Sequence, residues 1–130
     1  MTENEISRVV FGAALGVHRA LGPGLLESVY ESALAYELGR EGLSVKRQQA
    51  IAAVYDGLPL GLGFRTDLVI EEKVIVEIKS VEEVPHVAFK VVLTYLRLAD
   101  MRLGLLINFG ETQLRNGFRR IANKLVENAP

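Results

Sequence analysis

The sequence has 130 residues, 49% hydrophobic and 24% charged, with a formal net charge of −1; this is the balance of one globular domain over residues 1–130 and excludes a disordered or collagen-like chain. Cysteine is absent and histidine occurs only as His18 and His86, which rules out a disulfide framework, a thiolate zinc site and a cysteine nucleophile. No apolar run approaches the ~18 residues of a bilayer span, and MTENEISR lacks the basic start and apolar run of a signal peptide, so a cytoplasmic address without a membrane partner is expected.

Thr2 and Glu5 have the spacing of a capping box, and Ile6, Val9, Val10, Ala13, Val17 and Leu21 recur behind it at helical spacing. Gly22-Pro23-Gly24 breaks this first helix, because proline disfavours a helical residue before it and the glycines allow a tight turn. A second helix is expected from near Leu25 to near Gly39 or Gly42, with its apolar stripe through Leu26, Val29, Tyr30, Ala33, Leu34 and Leu38. Val45 to Ala53 then alternates loosely as a strand, and glycines punctuate Asp56 to Gly63.

Phe64–Ile70 and Val74–Lys79 read as two strands joined by the polar connector Glu71-Glu72-Lys73. Pro85 opens a third helix, in which His86, Lys90, Thr94 and Arg97 form the only polar stripe, so the helix is expected to be mostly buried. LGLLINF, residues 103–109, has strand length, and a final helix is expected from Leu114 to Leu125. This order predicts an α/β fold with a mixed central sheet flanked by helices on both faces.

Charge is distributed unevenly along the chain. Between Thr66 and Glu83, six acids face Lys73 and Lys79, whereas Arg102, Arg115, Arg119, Arg120 and Lys124 make the C-terminal part basic. If Ile70 pairs with Val74, Asp67 lies opposite Glu77, and side-chain alternation brings Asp67, Glu77 and Lys79 to one face; a register one residue different removes Asp67 from it. Facing carboxylates repel unless something positive lies between them, and such oxygen ligands suit magnesium or manganese, although Lys79 alone also makes an ordinary surface pair. Glu27, with Tyr30, Glu31 and Leu34, follows the i, i+3, i+4, i+7 spacing and falls at the border of the buried stripe, where the helix dipole by itself also favours a glutamate.

Gly24-Leu25-Leu26-Glu27-Ser28-Val29-Tyr30, FRTDLVIEEKVIVEIKS, LTYLRL and LGLLINFG resemble, in order, the blocks of the bacterial GxxExxY protein family, which is grouped with the PD-(D/E)xK nuclease-like superfamily. The resemblance runs from about Val17 to Ala122. It implies a restriction-endonuclease-like core with a site made of Glu27, Asp67, Glu77 and Lys79. Thr66 stands where the superfamily has a proline that carries no chemistry, and Val91 stands where many relatives have a glutamine.

The resemblance further implies a magnesium- or manganese-dependent hydrolase of nucleic-acid phosphodiesters, DNA or RNA. Asp67, Glu77 and the Ile78 carbonyl would hold the metal, Lys79 would act on water, and Glu27 would help directly or through water. Lys90, Arg97, Arg119 and Arg120 are the basic residues expected to hold the nucleic-acid backbone. The alternative is a catalytically silent nuclease-fold module that binds nucleic acid or assembles as a homo-oligomer, favoured by the apolar content of LTYLRLADMRLGLLINF.

Overall fold

In the computed structural model, which describes residues 1–126, the elements are α1 (Glu3–Leu21), α2 (Glu27–Arg40), β1 (Val45–Tyr55), β2 (Leu58–Ile70), β3 (Val74–Lys79), α3 (Val87–Ala99), β4 (Leu103–Asn108), α4 (Leu114–Gly117) and β5 (Phe118–Ala122). The strands form a five-stranded sheet in the order β1-β2-β3-β4-β5. Only β3 and β4 run parallel, and α3 makes the crossover between them. Two cores result. Leu68, Ile70, Val76, Ile78, Leu105 and Ile107 meet α1 and α2 through Ile6, Val10, Tyr30 and Leu34, and on the opposite face Ile75 and Leu106 meet Val92 and Leu96 of α3. The expected α/β architecture is therefore the observed one.

The capping box closes as its spacing predicts: Thr2 Oγ1 accepts from the Glu5 amide at 3.1 Å, and Glu5 Oε1 accepts from the Thr2 amide at 3.0 Å. At the other end of α1, the turn over Gly22 (φ 74°) and Gly24 (φ 99°) takes left-handed angles that favour glycine. Tyr30 fixes this turn from one helical turn away. Its hydroxyl donates to the Gly22 carbonyl at 2.5 Å and accepts from the Leu25 amide at 3.1 Å, while its ring stacks on Phe109 at 4.5 Å.

Four expectations need correction. The segment after Leu114 is not a long helix: α4 ends at Gly117, where a Cβ would come within 2.4 Å of the Asn108 carbonyl, and the chain continues as β5 along the edge of β4. A strand there pairs the exposed ladder of β4 and puts Phe118 in one core and Ile121 in the other, which a helix would not do. The strand expected from Phe64 begins at Leu58, so the glycines of 56–63 shift the β1–β2 register near Ala52 without ending the pairing. Asp56 (φ 51°) and Gly57 (φ 75°) form a two-residue turn between two long strands, the Asp-Gly hairpin signal.

Third, α3 buries only Val92 and Leu96 and leaves Val87, Val91 and Leu98 exposed beside its polar stripe. Fourth, the apolar run of β4 is buried between the chain's own helices, so it leaves no surface that a second copy must cover. Exposed apolar residues are found instead on α3, around the start of α2 and on the far half of the β1–β2 ribbon.

Tyr30→Phe keeps the stack on Phe109 and removes both hydroxyl bonds at the Gly22–Leu25 turn. Urea unfolding should show a loss of about 1–2 kcal/mol with an unchanged denaturant slope. An unchanged midpoint would mean that the turn does not depend on Tyr30.

Candidate functional site

The β2–β3 ladder is in regular register from Ile70↔Val74 to Leu68↔Val76. Beyond that point the two strands no longer pair, and acidic side chains take over the backbone donors. The Ile78 amide donates to Asp67 Oδ2 at 2.8 Å, and the Asp67 amide donates to Glu77 Oε1 at 3.3 Å. Glu77 Oε1 also accepts from the Thr66 hydroxyl at 2.6 Å. The two carboxylates are thus held at the end of the ladder because backbone groups there need partners.

The same opening places Glu77 on the wall of a cleft of about 350 Å³ under α3. Lys79, two residues on and on the same strand face, lines it as well, and Glu27 reaches it from the first turn of α2. The other walls are apolar: Val81, Pro85, Val87, Ala88, Val91, Val92, Tyr95 and Leu106. Asp67 stands beside this cleft, not on its lining, and turns its other oxygen toward β1 and Gln48.

Loop 80–86, which follows Lys79, is clamped by Asn108. That side chain donates to the Val81 carbonyl at 2.9 Å and accepts from the Val81 amide at 3.1 Å and the Gly110 amide at 3.0 Å. Ser80 Oγ donates to the Leu25 carbonyl at 2.5 Å, so the loop after β3 is tied to the turn that delivers Glu27.

Burial first, and then the charge of Asp67, pushes the Glu77 carboxyl up from 4.5 to about 7; the Thr66 hydroxyl, the Asp67 amide and Lys79 act in the opposite direction. Burial, followed by the charges of Glu77 and Asp67, also raises the Tyr95 phenol, which sets this residue within the field of both acids. Its ring is backed by Phe64 in a parallel stack at 3.7 Å.

An acid pair under mutual repulsion fits a divalent cation with a preference for oxygen, and Asp67, Glu77 and the Ile78 carbonyl are the donors available for one. Among the described residues, no three acidic or histidine side chains stand together as a ready-made ligand set. The fit is therefore to an ion that keeps much of its water, as magnesium does.

The basic residues divide. Lys90 and Arg97 are exposed on α3. Arg119 continues the row Glu77–Leu106–Arg119 across β3, β4 and β5, but lines a neighbouring cavity with Glu83 and Glu111. Arg120 alternates to the opposite face and donates to Asn4 of α1, so Arg119 and Arg120 do not form one surface.

Several participants escape a reading by residue type. Thr66 is fully buried and bonds Glu77 directly, a contact that the proline it replaces could not make. Glu31 is buried at 7% exposure and receives Arg47 Nε at 3.1 Å and Nη2 at 3.0 Å, with Gln48 Nε2 at 2.6 Å. Its helical spacing from Glu27 was the one available signal; nothing in the loose alternation of β1 marks Gln48.

A family model described as the PD-(D/E)XK nuclease superfamily matches residues 4–121. No curated protein and no solved structure matches the chain.

Because Glu77 binds its proton more tightly folded than unfolded, its contribution to stability is present below about pH 4.5 and is lost as pH rises through about 7. Metal-free protein should therefore lose roughly 3 kcal/mol of unfolding free energy over this interval, and Glu77→Gln should remove most of that dependence. Parallel pH profiles for the two proteins, measured by denaturant unfolding, would contradict this.

Proposed function

The chain belongs to the PD-(D/E)XK nuclease superfamily, and from that premise we propose that it is a divalent-metal-dependent hydrolase of nucleic-acid phosphodiester bonds. The observation that carries the reading is the Asp67–Glu77 pair at the end of the β2–β3 ladder, with Lys79 on the same cleft wall as Glu77. Asp67, Glu77 and the Ile78 carbonyl hold magnesium or manganese. Bound there, the ion would polarise a phosphoryl oxygen and offset charge in an in-line displacement.

The protein groups have separate tasks. Thr66 and the Asp67 amide fix Glu77 Oε1, which leaves Oε2 to serve as the metal ligand. Lys79 orients the attacking water or stabilises charge on the phosphate, and Glu27 on the cleft lip holds a water opposite it. Lys90 and Arg97 on α3 contact flanking phosphates, with Arg119 on the same sheet face as Glu77.

A specific observation favours assembly as a second role. Val54, Tyr55, Leu58, Leu60 and Leu62 are 54–72% exposed on the β1–β2 ribbon, and Asp56 is the only charged residue between Ala50 and Phe64. A ribbon of this kind is suited to a second copy of the chain.

The test is cleavage of single- and double-stranded DNA and RNA in magnesium and in manganese, with Glu77→Ala as control. Lys79→Ala should lower cleavage at least about a hundredfold while changing nucleic-acid affinity little, because the interaction it removes forms only in the transition state. A parent protein inert on every substrate in both metals would contradict the hydrolase, and a stable dimer that neither binds nor cleaves would support the assembly role alone.

A further inference from the structure

Asp67 has both carboxylate oxygens engaged. Oδ2 accepts from the Ile78 amide at 2.8 Å and Oδ1 accepts from Gln48 Nε2 at 3.3 Å. The same Gln48 nitrogen donates to Glu31 Oε1 at 2.6 Å, and Glu31 Oε2 is held by the Arg47 guanidinium, which also donates to Ser32 Oγ at 2.9 Å. Only the NH₂ end of an amide can face two carboxylates, so both of its donors are used and its oxygen is turned away.

Two features set this apart from incidental surface bonding. Glu31 is a buried charge, at 7% exposure, and its compensation by Arg47 fixes where its second oxygen points. Gln48 itself is exposed, so no packing requirement places it, yet its backbone is held at φ 49°, a left-handed conformation that is strained for a non-glycine residue. It sits on β1 between Arg47↔Leu68 and Gln49↔Thr66, opposite Asp67. What the strained position provides is the reach of its side chain to Asp67.

We propose that Gln48 is a positioning residue: through the chain Arg47–Glu31–Gln48–Asp67, helix α2 sets the orientation of the Asp67 carboxylate on β2. The proposal rests on the reading of Asp67 as a metal ligand. With one lone pair of each oxygen occupied, the remaining lone pairs of Asp67 have a fixed direction, so the ligand is oriented before an ion arrives. Helix α2 then serves the site twice, with Glu27 at the cleft and with Glu31 behind Asp67.

Gln48→Gly separates this role from a merely structural one, because glycine relieves the left-handed strain while deleting the amide. The unfolding midpoint should stay unchanged or rise. In the metal-free protein, hydrogen exchange at the Ile78 amide should accelerate about tenfold, with Leu68 and Val76 unaffected. The manganese dissociation constant, read by calorimetry, should rise about tenfold. Gln48→Asn, which tolerates the backbone angle but is too short to span both acids, should behave as the glycine variant does.

Unchanged Ile78 exchange would overturn the proposal, as would equal manganese binding by parent and variants. If the parent binds no manganese, the ligand reading of Asp67 fails while the Ile78 measurement still decides whether Gln48 positions that carboxylate.

Discussion

Where β2 and β3 stop pairing, two partly buried backbone amides turn from strand partners to side chains, and two carboxylates accept from them. This substitution of side-chain acceptors for ladder carbonyls is the constraint on which the rest of the site depends. It brings Asp67 and Glu77 together although their charges repel, and burial of Glu77 makes that repulsion stronger than it would be in water. The fold accepts the cost because leaving the amides unpaired would also cost free energy.

The surrounding elements either hold this arrangement or open it to solvent. Tyr30 and the glycines before it set where α2 begins and so put Glu27 at the lip of the cleft. Asn108 and Ser80 tie down the loop that follows Lys79, linking the end of β3 to β4 and to the start of α2. On the other face, α3 roofs the cleft with Val87, Val91 and Tyr95, and its incomplete burial follows from this duty, since a helix sunk fully into the sheet would close the space over Glu77. The cleft is consequently lined by two acids, Glu27 and Glu77, and by largely apolar residues, with Lys79 as the basic lining residue among the described residues.

Much of this was legible from residue order. The hairpin register follows from three polar residues between two apolar strands, and with Ile70 opposite Val74 the convergence of Asp67 and Glu77 is a matter of counting. Two kinds of information were not local. The segment from Leu114 to Leu125 reads as a helix because its apolar spacing is ambiguous, and the deciding factor is the open edge of β4, a tertiary fact. The supports of the acids, Thr66 and Gln48, depend on where a ladder stops and on a left-handed glutamine, neither of which has a periodic signature. Glu31 lay between these cases, since its position on α2 was clear but its partners on β1 were not.

Metal binding at the end of the β2–β3 ladder, as proposed, can be seen without any activity assay by anomalous diffraction from crystals grown with manganese. A peak bonded to oxygens of both Asp67 and Glu77 at about 2.0–2.3 Å, with waters completing the shell, is the predicted result. A peak elsewhere, with the two carboxylates still holding the Ile78 and Asp67 amides and no ion between them, would contradict it.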